Sequence, residues 1–341
     1  MISFNNIIYK IKKRTWGTIV SKARKKSYYY KLYLSFWHQL IQTPDQHKTQ
    51  IINYFTAIPN SGAGIGHQLA NWIAGYWFAG QFGLKFAHTP FSIEKWENFL
   101  GFGENEISAK ELIKNHGYKK VRLPLFDENN IKEIDLIKRI IASYLDKKVV
   151  FVAEQDQFYR DQFGVMEQIK QKFHNATARK NDRLIYSNKN FNIAIHVRRG
   201  DIVVGKETNA NHLMRWQDNS YFEKVLSTMI DHLKIEKPIA IYLFSQGKQK
   251  DFQSIEKFQN IHFCLDMSAQ DSFLHMVYAD LLITSKSSFS YKPALLSNGI
   301  KVCPRDFWHG YPDNEDWILV EKDGSFSRNS IMKLNHHILS L

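Results

Sequence analysis

The residues best suited to chemistry form one short run, His196-Val197-Arg198-Arg199-Gly200-Asp201, at the end of the apolar stretch 192–197. Two adjacent guanidinium groups at a strand end are costly to leave unpaired. Asp201 can pair with one and fix its fork, which leaves planar donors for bidentate contact with a phosphate. Charge-assisted bonds of this kind are worth roughly 1.5–3 kcal/mol each. His196 points along the strand and orients its neighbours rather than reacting. The alternative is a structural salt bridge beside a core histidine.

Three further clusters carry the same kind of chemistry. Ser285-Lys286-Ser287-Ser288-Phe289-Ser290 offers hydroxyl and backbone N–H groups where a helix should start, with the charge of Lys286 beside them. Such a start suits phosphate oxygens, or serves as an ordinary serine cap. Ser61-Gly62-Ala63-Gly64-Ile65-Gly66-His67 is a glycine loop opening a helix. Its glycines permit close approach of backbone to a ligand, or simply a tight strand-to-helix turn. No Gly-Lys-Ser/Thr follows, so it is not a P-loop, and the third glycine of the dinucleotide fingerprint is missing. Ser245-Gln246-Gly247 follows the apolar run 239–244.

These clusters need a frame, and the hydrophobic rhythm supplies one. Short apolar runs at 192–197, 239–244, 261–265, 280–284 and 299–303 alternate with helical stretches at 219–234, 248–258, 270–279 and 288–297. Pro293 should sit in the first turn of the last helix or kink it. In the first half, strands are expected at 51–58, 84–88, 118–123 and 148–153, and helices at 66–82 and 129–145. Short buried strands separated by helices indicate parallel α/β sheets covered on both faces. In such sheets ligands bind beyond the carboxyl ends of the strands, which is where all four clusters fall. The pattern divides into a basic arm (1–50), an N-terminal domain (51–185) and a C-terminal domain (186–341), with a cleft between the two domains.

The chain has 341 residues with 44% apolar and 14% aromatic side chains, ordinary for a globular protein of two domains. Repeats and low-complexity tracts are absent, which excludes solenoids and mainly disordered chains. With two cysteines, Cys264 and Cys303, and no Cys-x-x-Cys, a disulfide framework or a cysteine-rich zinc site is not expected, and a reducing cytoplasm fits. Each thiol should be singly buried. The uncharged run 68–84 contains Gln68, Asn71 and Gln81, and Gly75 and Gly80 permit close backbone contact. It reads as a buried helix rather than a membrane span.

Net charge is +13, of which +9 falls in residues 1–41, where there is no acid. This arm lacks the apolar run of a signal peptide and is too charged to span a bilayer. It reads as an anchor on anionic lipid at the inner face of a membrane, or as a solvated helix packed on its domain. No recognised nucleic-acid motif accompanies the charge, so nucleic acid is not the expected partner.

The sequence His-Val-Arg-Arg-Gly-Asp at 196–201 resembles the signature of the fucosyltransferase superfamily. Gly64-Ile65-Gly66-His67-Gln68 is similar to the Gly-x-Gly-Asn-Gln motif of that group, with His67 in place of Asn. The run 279–296 is similar to the Ser-Ser-Phe-Ser segment of bacterial α1,2-fucosyltransferases. Ser245-Gln246-Gly247 stands where those enzymes usually show Ser-Asp-Asp, and 204–207 resembles, with one residue inserted, a stretch that holds a catalytic Glu in α1,6 enzymes. The motifs occur in order across 62–296.

The resemblance implies a GT-B-type fold of two Rossmann-like domains, with 51–185 on the acceptor side and 186–341 binding the donor. It implies GDP-fucose as donor, a saccharide or glycan hydroxyl as acceptor, inversion at the sugar, and no metal or other cofactor. By the same resemblance Arg198 and Arg199 hold the donor diphosphate with Asp201 behind them. Ser287, Ser288 and Phe289 line the nucleotide pocket, and Gly64, Gly66, His67, His196 and Ser245 complete the donor site. The chain has no strict Asp-x-Asp, which agrees with arginine rather than a cation meeting the charge that grows on the leaving diphosphate. Glu207 is the first choice for the group that accepts the acceptor proton, ahead of Asp156 and His67. A transferase with another donor, and a sugar-nucleotide or glycan-binding protein without transfer activity, are the competing readings.

Overall fold

The structure, a computed structural model, describes residues 4–42, 51–60, 62–154, 159, 161–205, 210–233, 235–265 and 267–338. Among the described residues ten strands form two wholly parallel sheets: β1 (Tyr54–Ile58), β2 (Lys85–Phe86), β3 (Lys119–Arg122), β4 (Val149–Glu154), β5 (Phe191–His196), β6 (Ile239–Phe244), β7 (Ile261–Cys264), β8 (Leu281–Ile283), β9 (Ile300–Pro304) and β10 (Trp317–Val320). The chain is therefore α/β, as its alternating pattern implies. Contacts group it into two units, one of residues 1–60, 71–89 and 105–159 and the other of 61–70, 90–104 and 160–341.

The first unit holds the sheet β2-β1-β4-β3. Helix α1 (Phe4–Ala23), helix α2 (Leu34–Ile41) and most of helix α3 (Ile65–Gln81) belong to it. Gly75 of α3 lies so close to β1 that a Cβ there would stand 2.6 Å from the Ala57 Cβ, and Trp72, Ile73, Ala74 and Phe78 are buried around it. Gly80, expected to make a similar approach, faces open space instead.

The basic arm packs onto this unit. Val20, Ala23, Tyr29 and Tyr33 form a buried cluster, and Tyr29 is fully enclosed. The Tyr29 hydroxyl accepts the Leu125 N–H at 2.8 Å, and Ser35 Oγ donates to the Arg122 carbonyl at 2.8 Å. Arg24 pairs with Glu133 at 2.5 Å. Of the two readings open for the arm, packing on its domain is present. No helix among the described residues is long and apolar enough to cross a membrane.

The second unit holds the larger sheet, in the order β10-β9-β8-β5-β6-β7. Counted in chain order this is the 3-2-1-4-5-6 arrangement of a doubly wound sheet. β5 is buried along its whole length, with Ile193 opposite Leu281 on one side and Ile241 on the other. Phe191, Ile193 and Ile195 face one layer, against Phe222, Val225 and Met229 of the Asn219–His232 helix. Pro293 is the sixth residue of the Ser288–Leu296 helix, beyond its first turn. The strand β10, with Trp317 buried, has no counterpart in the sequence-based pattern. Cys303 is buried, and burial pushes its thiol up to about 12; Cys264, expected to be buried, is half-exposed, with its thiol raised to about 11 for the same reason.

Candidate functional site

The sheet of the second unit fixes where its polar residues meet. β6 and β7 extend from one edge of β5, and β8 through β10 extend from the other, so the chain reverses direction between β5 and β8. At such a switch point the two flanking loops diverge and leave a crevice at the carboxyl end of the sheet. A cavity of about 360 Å³ lies there. Its walls are residues that follow β5 (Val197, Arg198, Arg199, Asp201), β6 (Ser245, Gln246), β7 (Leu265, Met267) and β8 (Ser287, Phe289). Phe244, Leu265, Met267 and Phe289 give it apolar lining, and Arg198, Asp201 and Ser287 give it charged and polar lining.

The two arginines have different surroundings. Arg198 Nη2 donates to both Asp201 carboxylate oxygens, at 3.1 and 2.9 Å, and Nη1 donates to Ser287 Oγ at 3.2 Å. Its side chain is 21% exposed, and its Nε has no hydrogen-bond partner among the described residues. The carboxylate thus holds one edge of the fork at a residue that lines the cavity, and the Nη groups carry more N–H donors than these bonds use.

Arg199 is buried and tied by its own domain. Nη1 donates to the carbonyls of Arg198 and Gln217, at 2.9 and 3.1 Å, and Nη2 donates to Asn219 Oδ1 at 2.6 Å. Its guanidinium carbon lies 4.1 Å from the centre of the Trp216 ring. Burial lowers its pKa to about 10, opposed by the charges of Asp218 and Asp251, so it stays a cation at neutral pH. It borders a second cavity of about 520 Å³ with Trp216, Asp218 and Asp251.

His196 closes the back of the site. Its Nδ1 lies 2.8 Å from Ser285 Oγ, which links the end of β5 to the loop after β8. Burial, then the charges of Arg198 and Arg199, push its pKa down to about 3, so the ring is neutral. A neutral, enclosed imidazole beside two cations spaces the loops and keeps a third positive charge out of the site.

The serine loop is built from short-range bonds. Ser287 caps the Ser288–Leu296 helix by accepting the Phe289 N–H at 3.2 Å, and it also receives Arg198. Lys286 does not add a free charge: its ammonium pairs with Asp306 at 2.5 Å, and its N–H donates to Gln217 Oε1 at 2.8 Å. Gly66 abuts this loop, since a Cβ on it would stand 2.8 Å from Ser288 Cβ and 2.9 Å from the Ser288 carbonyl carbon. Gln68 pins the glycine loop by donating to the Ala63 carbonyl at 2.9 Å and accepting the Ser92 N–H at 2.8 Å.

Of the residues singled out in the sequence, His196, Arg198, Arg199, Asp201, Ser245, Ser287 and Phe289 share one cavity. Ser245 Oγ donates to the Val197 carbonyl at 2.7 Å, which ties the β6 end to the β5 end. Ser288 and Gly66 meet each other and do not line the cavity, and Gly64 and His67 are exposed. Glu207 and Asp156 lie outside the described residues. Trp216, Gln217 and Asn219, which hold Arg199 and the serine loop, were not singled out in the sequence. Their one signal there is a polar stretch with an aromatic residue just ahead of a helix.

No protein-family model and no curated protein matches the chain. Among solved structures it is similar to the NodZ α-1,6-fucosyltransferase soaked with GDP-fucose, at 12% identity over 73% of this chain and 93% of that one, with a TM-score of 0.43. It is similar to POFUT1 in complex with GDP, at 12% identity over 74% and 98% of the two chains, with a TM-score of 0.42. It is also similar to the E. coli heptosyltransferase WaaC with ADP, at 11% identity over 84% and 99%, with a TM-score of 0.41.

Proposed function

We propose that the chain is a glycosyltransferase of the GT-B type whose second unit binds a nucleotide-diphosphate sugar, and that it is an inverting, metal-independent fucosyltransferase using GDP-fucose. The observation that carries this reading is the Arg198 guanidinium, held from one edge by Asp201 and open to a cavity with an apolar wall. An apolar slot beside a cation suits a flat base attached to a diphosphate. The motif resemblance at 196–201 and 279–296 supplies the choice of fucose and of GDP.

In this reading the base lies against Phe244, Leu265, Met267 and Phe289, and the diphosphate meets Arg198 and the capped start of the Ser288–Leu296 helix. Sugar transfer passes through an oxocarbenium-like state while negative charge grows on the leaving diphosphate. Donors already fixed in place stabilise that charge most as it develops fully, with no reorganisation at the moment of bond cleavage. Arg199 acts one layer back. It holds the 217–219 segment, and Gln217 in turn holds the serine loop. Glu207 is proposed as the base that takes the proton of the acceptor hydroxyl.

Gln246 favours one competing reading. It lines the cavity with an amide that both donates and accepts, and Asp201 is the one carboxylate among the described lining residues. A donor with a base other than guanine is therefore the second choice. Calorimetric titration with GDP, ADP and UDP in EDTA separates the readings. Tighter binding of GDP supports the first, tighter binding of ADP moves the donor, and loss of all binding in EDTA refutes a metal-independent site. Nucleotide binding without sugar-nucleotide turnover would make the chain a binding protein.

A further inference from the structure

A cavity of about 550 Å³ lies on the first unit. Its floor is apolar, with Trp16, Val20 and Leu125, and its rim carries Lys22, Lys25 and Lys26. All three lysines are exposed, and none has an ion-pair partner among the described residues. Arg24, also at this cavity, is already held by Glu133. Residues 1–41 contain no acid, so no carboxylate in that stretch repels an anion.

A second observation concerns helix α2. Its inner face is anchored through Ser35 and through His38, which stacks on Tyr144 at 3.7 Å. Its outer face is apolar and in water: Leu34 is 87% exposed and Ile41 71%, with Trp37 and Leu40 beside them. Helical spacing puts these four on one side. Large apolar side chains gathered on one exposed stripe are unusual unless something covers them.

We propose that this face of the first unit docks on an anionic lipid bilayer, with a headgroup phosphate among Lys22, Lys25 and Lys26 and the outer side of α2 in the interfacial layer. Lysine suits such a site because it is a mobile, strongly hydrated point charge that follows a headgroup without demanding a fixed fork. Charge complementarity and the stripe of apolar residues act together, as they do in helices that lie in the membrane plane. The inference stands independently of the donor assigned to the second unit.

Co-sedimentation of the full chain with phosphatidylcholine vesicles, with and without phosphatidylglycerol, tests it. Binding should require phosphatidylglycerol and should fall on the order of 100-fold for Lys22→Gln/Lys25→Gln/Lys26→Gln. Leu34→Ser/Ile41→Ser should weaken it at least about tenfold, with circular dichroism unchanged. Raising the salt concentration on the unaltered chain should release it, which keeps the test valid if a variant fails to fold. Equal binding to both vesicle types, or full binding by the triple variant, would overturn the proposal. So would thermal stabilisation by inorganic phosphate that the triple variant loses, without vesicle binding, since the cavity would then take a free anion. Capture of a single-stranded oligonucleotide in place of vesicles would reassign the surface to nucleic acid.

Discussion

Two regions of this molecule concentrate positive charge and treat it in opposite ways. At the switch point of the second unit, Arg198 and Arg199 are held by a carboxylate, two carbonyls and two side-chain oxygens. On the arm, Lys22, Lys25 and Lys26 are exposed at the rim of an apolar hollow. The first arrangement prepares a fixed shape for an anion whose geometry matters. The second raises the local potential without choosing a geometry. Within the first region the contrast repeats: Arg198 lines a cavity and is held by Asp201 and Ser287, while Arg199 spends its donors on holding the loops.

The largest effect should come from showing that the arm is rooted in a core. Tyr29→Ala removes a fully enclosed ring from the first unit and should cost about 3–5 kcal/mol of stability. Thermal melting measures it, and an unchanged midpoint would mean that the arm is merely appended.

Next come the arginines. Arg198→Lys keeps the charge but loses the fork, and a loss of about 2–4 kcal/mol of transition-state stabilisation slows donor turnover roughly 30- to 1000-fold. Arg199→Lys should act differently, since it leaves the Gln217 carbonyl and Asn219 short of donors and costs about 1–3 kcal/mol of folding stability. Turnover and melting of both variants decide this. If the two show the same turnover loss at unchanged stability, the division of labour between them is wrong.

Gly66→Ala forces a methyl group against Ser288, backbone included, and should cost about 1–3 kcal/mol while shifting the serine loop. Nucleotide affinity should fall with stability. Full affinity in a destabilised variant would detach the glycine loop from the site.

The smallest effect is a pH slope. His196 has a folded pKa of about 3, depressed by burial from its ordinary value. Below about pH 6.5 the unfolded chain binds a proton that the folded chain refuses, so stability falls by up to about 1.4 kcal/mol per pH unit on acidification from there. Above that pH the contribution is constant. His196→Gln should flatten the decline between about pH 6 and 4. A slope identical to that of the unaltered chain would mean that another group controls it.

Much of the frame was legible in the residues themselves. The runs at 192–197, 239–244, 261–265 and 299–303 match β5, β6, β7 and β9 to within a residue or two; for β5, β6 and β9 the reason is that a strand buried on both faces must be short and apolar. Strand ends with Arg198, Ser245 and Ser287 were visible because ligands in parallel sheets gather there. β10 escaped because its run lies behind a loop rich in acids and turns, outside the strand–helix rhythm. Gly80 was misread because a glycine in a helix announces permission for contact, and whether a neighbour uses it depends on what packs opposite.

Local chemistry along the chain was enough to determine an α/β protein with parallel strands, a charged cluster at the end of the 192–197 run and a basic stretch without acid at 1–41. Only the tertiary structure decided that Arg198 faces a cavity while Arg199 turns to Gln217 and Asn219, that Lys286 is neutralised by Asp306, and that Tyr29 is a core residue. Those outcomes depend on partners 18 to 96 residues away, and no periodicity or propensity encodes which distant oxygen a donor will meet once the sheet closes.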